Sequence, residues 1–418
     1  MEIYPIPPED AEILRRLGEQ KAGIAALPVN RERTRLWQRL NDRESVRPMV
    51  WVHMYAVPWH EMNVDDELTI RCTHPFAVQL ETTLRRELYQ WRHMPADMII
   101  SPHVGCPKSW SSTRFGIKDE ADIVESGNAG IVSRHFHRQI FGPEDLDKIR
   151  NAVVSCNAEE TAWRYEQMQT VFKDVIPVRL QGVSHIFYTP WDHLVCWWGL
   201  QEAMMDLVLR PKMVNEAVSR MVDSYLAELD QLIEYNLLDA ACLNSCVGSG
   251  GYGYTGDLPG DDYDPDKVMP QNMWGSANAQ ALSDVSPEMH WEFAVKHDLR
   301  WFEKWGVNYY GCCEALDRKH EVLKQIPNLR KVSVSPWSDP EQAAANLGND
   351  YVLSRKPNPA VLAMDKWDGE AARRDIRKFL EAAKGCHVEL IMKDISTVRN
   401  EPSRLWEWAR IAMEEIVN

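Results

Sequence analysis

Eight short apolar runs punctuate this chain, and helix-forming stretches separate them. The runs are residues 48–54, 98–103, 177–182, 240–245, 307–312, 331–336, 351–355 and 387–393. Most are dominated by aliphatic side chains, the pattern of a strand buried on both faces of a parallel sheet. Parallel strands need long crossovers. Amphipathic stretches such as 211–235, 287–305 and 369–384 supply them. Eight strands alternating with helices is the count of a (β/α)8 TIM barrel, so the expected fold class is α/β. Residues 1–47 predict a helical extension packed on that barrel, residues 48–418 the barrel itself. The long interval between the second and third runs predicts an insertion over roughly 109–141.

The charge balance limits the partners. The chain has 62 acidic against 47 basic residues and a formal net charge of -15. Nucleic acid and anionic membrane surfaces attract clustered Lys and Arg, so neither is expected as the main partner. The start at Met1-Glu2-Ile3 has neither a basic nor an apolar leader region. No apolar run is long enough to cross a bilayer. Nine cysteines, an odd number without disulfide-like spacing, predict a reducing cytoplasm and free or metal-bound thiols. The 17 tryptophans suit both a core and an organic-ligand pocket.

A barrel carries its chemistry at the C-terminal ends of its strands. Those ends supply His53, His103, Asn244, Cys246, Cys312, Cys313, Glu314, Arg355, Lys356, Lys393 and Asp394. The densest group is Tyr310-Gly311-Cys312-Cys313-Glu314. Thiolate beside carboxylate suits zinc, with Cys246 as a further donor. Two buried apolar thiols, or a catalytic thiol without metal, are the other readings of the same residues. Neighbouring residues of a strand face opposite sides, so only one of the two cysteines is expected to face the barrel centre.

Arg355, Lys356 and Lys393 are expected to hold an anionic group, with Glu314, Asp394 and Lys393 as candidate acid-base residues. His53, His103, Asn244 and Tyr310 are expected at the pocket, joined by Trp191 and Asp192 from the segment after the third run. Tyr252, in the glycine-rich loop 248–255, is expected to reach the ligand through close backbone approach or lid movement.

Several segments resemble the uroporphyrinogen decarboxylase-like superfamily. They are Ser283-Asp284-Val285-Ser286-Pro287-Glu288, Tyr310-Gly311-Cys312-Cys313-Glu314, Val334-Ser335-Pro336-Trp337 and Leu353-Ser354-Arg355-Lys356-Pro357-Asn358-Pro359. The resemblance implies a (β/α)8 barrel, a homodimer, and one of two chemistries. One is metal-free decarboxylation. The other is methyl transfer between a corrinoid and a zinc-activated thiol or small methyl donor. The stretch after the first run, Val52 to Trp59, lacks the arginines that the decarboxylases carry there. Cys312 matches a cysteine of the zinc-dependent methyltransferases, while Lys393-Asp394 stands where their last cysteine falls.

The expectation is therefore a methyltransferase of a corrinoid-dependent demethylation system. It would move a methyl group from a small methylated substrate to a corrinoid protein with zinc assistance. A metal-independent decarboxylase or lyase acting on a carboxylated substrate, and a non-catalytic ligand- or corrinoid-binding subunit, are the alternatives.

Overall fold

The computed structural model describes residues 4–125, 132–240, 245–348 and 350–417. Twelve strands lie among the described residues: β1 Met49–Val52, β2 Val104–Pro107, β3 Trp110–Ser112, β4 Ala121–Glu125, β5 Val132–Phe136, β6 Val154–Cys156, β7 Val178–Gln181, β8 Trp274–Ala277, β9 Val307–Tyr310, β10 Leu329–Val334, β11 Val352–Arg355 and β12 His387–Met392. The runs at 48–54, 177–182, 307–312, 351–355 and 387–393 each contain one of them, and the run at 331–336 overlaps β10.

Six strands form one parallel sheet in the order β1-β12-β11-β10-β9-β8. Two more, β2 and β7, pair in parallel by themselves, and a parallel bridge joins Val183 to Leu238. The architecture is mixed α/β with a parallel central sheet. Among the described residues the ladders do not form one closed eight-stranded ring. The long interval after β2 folds as antiparallel pairs, β3 with β6 and β4 with β5. Residues 1–47 contain two helices, Pro8–Ala25 and Pro28–Asn41.

One expected strand meets a different outcome. The run 98–103 is buried at Met98, Ile99 and Ile100 but forms no ladder. Its amides are taken elsewhere: Met98 N donates to Pro95 O at 2.7 Å, Ile99 N to Tyr252 Oη at 3.1 Å and Ile100 N to Asn30 Oδ1 at 2.9 Å. Pro102 then has no amide to offer. The run 240–245 lies mostly outside the described residues, which include none of 241–244. In contrast, β8 was not signalled. Its Trp-Gly-Ser-Ala sequence has no β-branched residue. Gly275 is required there, since a Cβ would come within 2.4 Å of the Trp305 ring.

The parallel sheet separates two environments. Val332, Val334, Leu353, Val388 and Leu390 join the main aliphatic core. The other face carries Lys331, Ser333, Ser354 and Glu389, all with no solvent exposure. Glu389 accepts from Lys331 Nζ at 2.8 Å, Ser354 Oγ at 2.5 Å and Gly251 N at 2.9 Å. An ion pair this deep survives only because the lone pairs are filled. No helix among the described residues is long and apolar enough to cross a membrane.

Removing one partner of such a pair leaves an uncompensated buried charge. Glu389→Ala is therefore expected to lower the unfolding free energy by about 3–5 kcal/mol. Urea denaturation of the variant and the wild type measures this, and a loss below about 1 kcal/mol would assign the pair no structural weight.

Candidate active site

The ends of β1, β8, β9 and β12 border a cleft of about 670 Å³. His53 and Tyr55 follow β1, Asn278 follows β8, Cys312 follows β9, and Lys393 and Asp394 follow β12. Gly248 and Ser249, from the glycine-rich loop, and Tyr309, from β9, complete its inner wall.

Local backbone geometry brings both cysteines to this point. Gly311 has φ 99°, a left-handed conformation that breaks the alternation of β9. A Cβ there would meet Leu316 at 2.5 Å. Cys312 and Cys313 thus lie beyond the strand, and their sulfurs sit 3.7 Å apart. The expected opposite facing does not apply past the strand end. Glu314 fixes the turn. Its carboxylate, fully buried, accepts from Cys312 N at 2.7 Å and from Ala279 N at 3.0 Å.

Lys393 faces both thiols. Its Nζ lies 2.9 Å from Cys312 Sγ, 3.8 Å from Cys313 Sγ and 2.9 Å from Asp394 Oδ2. Asp394 has φ 55°, an uncommon conformation for a side-chain-bearing residue but one that aspartate tolerates. That turn sets its carboxylate beside Lys393 and 3.5 Å from Cys313 Sγ.

The electrostatics follow from these contacts. The Cys313 thiol facing Cys312 stabilises its thiolate; burial opposes this and Lys393 adds to it, and the Cys312 thiol is lowered to about 7. Cys313 is pushed the other way by the same neighbour and by burial, so it keeps its proton. Burial draws the Lys393 ammonium down, but Cys312, Asp394 and Cys313 hold it above the ordinary lysine range. Near neutral pH the site holds a thiolate–ammonium pair, the state in which cysteine is a nucleophile. His53 is pushed down to about 3 by burial and by the Lys393 and Lys356 charges. It is neutral, and its Nε2 has no hydrogen-bond partner among the described residues.

The remaining expected site residues divide. Lys356 lies beneath the cleft, with Nζ 3.0 Å from Tyr309 Oη. Asp192 is half-buried and accepts from Gln280 Nε2 at 2.8 Å; burial raises its carboxyl, helped by the nearby Glu314. Arg355 is not brought to the cleft. Its guanidinium donates to Ser335 O at 2.7 Å and covers the Phe379 ring, because Arg355 belongs to the outward parity of β11. Tyr310 likewise points away, its Oη 2.6 Å from His290 Nε2. Trp191 is a core residue whose Nε1 donates to Phe293 O at 2.9 Å. Tyr252 is buried against Trp37 and Trp51. His103 pairs with Ser101, its nearer ring nitrogen 2.9 Å from Ser101 Oγ. Asn244 lies outside the described residues.

Zinc was expected at Cys312, Cys313, Glu314 and Cys246. Cys246 sits in the apolar cluster with Trp37 and Tyr252, where burial raises its thiol to about 12. Glu314 spends its oxygens on backbone amides. Among the described residues no three His, Cys, Asp or Glu side chains group as a metal would require. Among the described residues the four expected donors therefore do not group around one point, and the cation beside Cys312 is the Lys393 ammonium.

Tyr309, Asn278 and Tyr55 border the cleft without having been singled out for it, beside Ser249 of the glycine-rich loop and Phe187 of the aromatic segment after the third run. Strand parity was the usable signal for Tyr309, since Tyr309 and Tyr310 must face opposite sides.

No family model matches this chain, and no curated protein does. Among solved structures, a methyltransferase from Methanosarcina mazei is similar over 92% of this chain and 99% of that chain, with a TM-score of 0.49 and 8% identity.

Alkylation of Cys312 by iodoacetamide, followed by peptide mass mapping, should rise with pH through a midpoint of about 7. Below that value the sulfur is protonated and the rate falls. Lys393→Met removes the ammonium, so the midpoint should move upward toward that of a free thiol, about 8.5. Equal midpoints in the two proteins would show that the pair does not control the thiol.

Proposed function

We propose that this chain is an enzyme of methyl-group transfer in which the Cys312 thiolate is the nucleophile. The reading places it on a (β/α)8 barrel of the uroporphyrinogen decarboxylase-like kind. The observation that carries it is the 2.9 Å contact between Lys393 Nζ and Cys312 Sγ at the edge of the cleft.

Cys312 attacks the methyl carbon of a small substrate held in the cleft. A sulfur–carbon bond forms, and the bond to the leaving atom breaks with its electron pair on that atom. Lys393 serves both halves of the cycle. It holds the thiolate before attack, and it favours the return of the same thiolate when the methyl group is passed on, because a thiol of lowered pKa is a better leaving group. A corrinoid carried by a separate protein would supply the carbon–cobalt chemistry at the other end of the transfer. Neutral His53 and the rings of Tyr55 and Phe187 give the methyl group apolar surroundings. The role expected of zinc falls here to Lys393.

The decarboxylase alternative relied on Arg355, Lys393 and Asp394. Arg355 is spent on Ser335 and Asp375 behind the sheet, which leaves that reading without its two-point carboxylate anchor.

Methylcobalamin serves as the probe. The purified protein, incubated with it in the presence of a chelator, should gain one methyl group on Cys312, detected by peptide mass mapping. Cys312→Ser should gain none there, and Lys393→Met should react at least about tenfold more slowly at pH 7. Wild-type protein that stays unmethylated at Cys312, or that is methylated only when zinc is added, would overturn the proposal.

A further inference from the structure

Lys356 is a buried charge-bearing group that this mechanism leaves unused. It follows β11 directly, yet its ammonium turns to the face opposite Arg355. Only 2% of the residue is exposed. Its three contacts are Ser354 O at 2.9 Å, Ser354 Oγ at 2.5 Å and Tyr309 Oη at 3.0 Å. An ammonium only donates, so all three oxygens accept from it.

That fixes the direction of the remaining bonds. Ser354 Oγ donates onward to Glu389 Oε1. Tyr309 Oη, accepting from Lys356, has its own proton free for Ser249 Oγ at 2.8 Å. Ser249 and Tyr309 both border the cleft. Ser249, accepting from Tyr309, directs its hydroxyl proton either to Gly311 O, 3.5 Å away, or into the cleft. The longer contact is a weak hold, so a stronger acceptor arriving in the cleft takes that proton.

We infer that Lys356 is the proton source for chemistry in the cleft, acting on the departing group through the hydroxyls of Tyr309 and Ser249. The inference rests on Cys312 as nucleophile and names how the other half of the substrate is released. As the carbon–heteroatom bond breaks, its electron pair stays on the departing atom. That atom takes the Ser249 proton, Ser249 is refilled from Tyr309, and Tyr309 from Lys356. Lys356 is left neutral and regains its proton from solvent between turnovers. The substrate class follows: compounds whose leaving atom departs as a strong base, such as an alkoxide or an amide anion, rather than as a halide-like anion.

The charged groups around Lys356 are compatible with this work. Burial pulls its ammonium down, Glu389 and Cys312 hold it up, Lys393 and Lys331 oppose it, and the outcome is about 7. A group balanced there gives up and regains a proton near neutral pH.

The test compares two reagents at Cys312. Iodoacetamide expels iodide and needs no proton. Glycidol, a small neutral epoxide, is opened by the thiolate to an alkoxide that must be protonated. The ratio of the glycidol rate to the iodoacetamide rate cancels the thiolate fraction and reads the proton supply alone. In the wild type at pH 6.5–7 this ratio should exceed that of a free thiol such as glutathione, and it should decline as pH rises through about 7.

Lys356→Met and Tyr309→Phe should each lower the ratio by at least about tenfold and abolish its pH dependence. Tyr309→Phe keeps the ring and removes only the hydroxyl, so it carries the test if Lys356→Met fails to fold. A wild-type ratio equal to that of glutathione, or a ratio unchanged in Tyr309→Phe, overturns the relay while leaving Cys312 as nucleophile. A Cys312 that reacts with iodoacetamide no faster than glutathione overturns the nucleophile and the relay together.

Discussion

An ammonium group sits at the edge of the cleft because two sulfurs and a carboxylate are arranged around it. Lys393 is nearly buried, and burial weakens its hold on its proton. Cys312, Cys313 and Asp394 reverse that tendency. In return the ammonium adds to the Cys313 contact in letting Cys312 ionise where a buried thiol ordinarily would not. Each charge favours the other, so the two are coupled. Its position depends on backbone placed by two strands that are not hydrogen-bonded neighbours, β9 and β12. Glu314 tethers one side through two amides, and the left-handed turn at Asp394 shapes the other.

The interior beneath this pair follows the same rule of mutual compensation. Lys331 and Glu389 neutralise each other with no exposure to solvent. Among the described residues Lys356 has no carboxylate within direct hydrogen-bond reach, and its contacts are hydroxyls and a carbonyl. A cation held by neutral oxygens is less firmly protonated than one held by a carboxylate. The sheet thus carries three lysines near its polar face with three different attachments to their protons.

Much of this was legible from the residues. Six of the eight apolar runs contain or overlap strands, and the helices at 211–235 and 369–384 fall where periodicity placed them. The convergence of Cys312, Cys313, Lys393, Asp394 and His53 followed from their places at strand ends. Other features required coordinates. Arg355 and Lys356 are adjacent, and only the parity of β11 decides which faces the interior. The same ambiguity exchanged Tyr309 for Tyr310. Trp191 and Tyr252 are large rings that serve cores as readily as pockets, and no local pattern separates the two uses. Glu314 looked like a metal donor because its amide partners, one of them at Ala279, are invisible in a linear reading. β8 escaped notice because close packing of Gly275 on Trp305, rather than strand propensity, selects its residues.

The paired tyrosines of β9 also make that strand intolerant of sliding. Tyr309 hydrogen-bonds to Ser249 and Lys356 on one side, and Tyr310 to His290 on the other. A slip of one residue would preserve the chemistry of the side chains yet exchange their company, leaving His290 and Lys356 each beside a different strand residue. Because Gly311 immediately follows, the same slip would rotate both cysteines away from Lys393. The register of a four-residue strand is in this way tied to the ionisation state of a sulfur beyond its end.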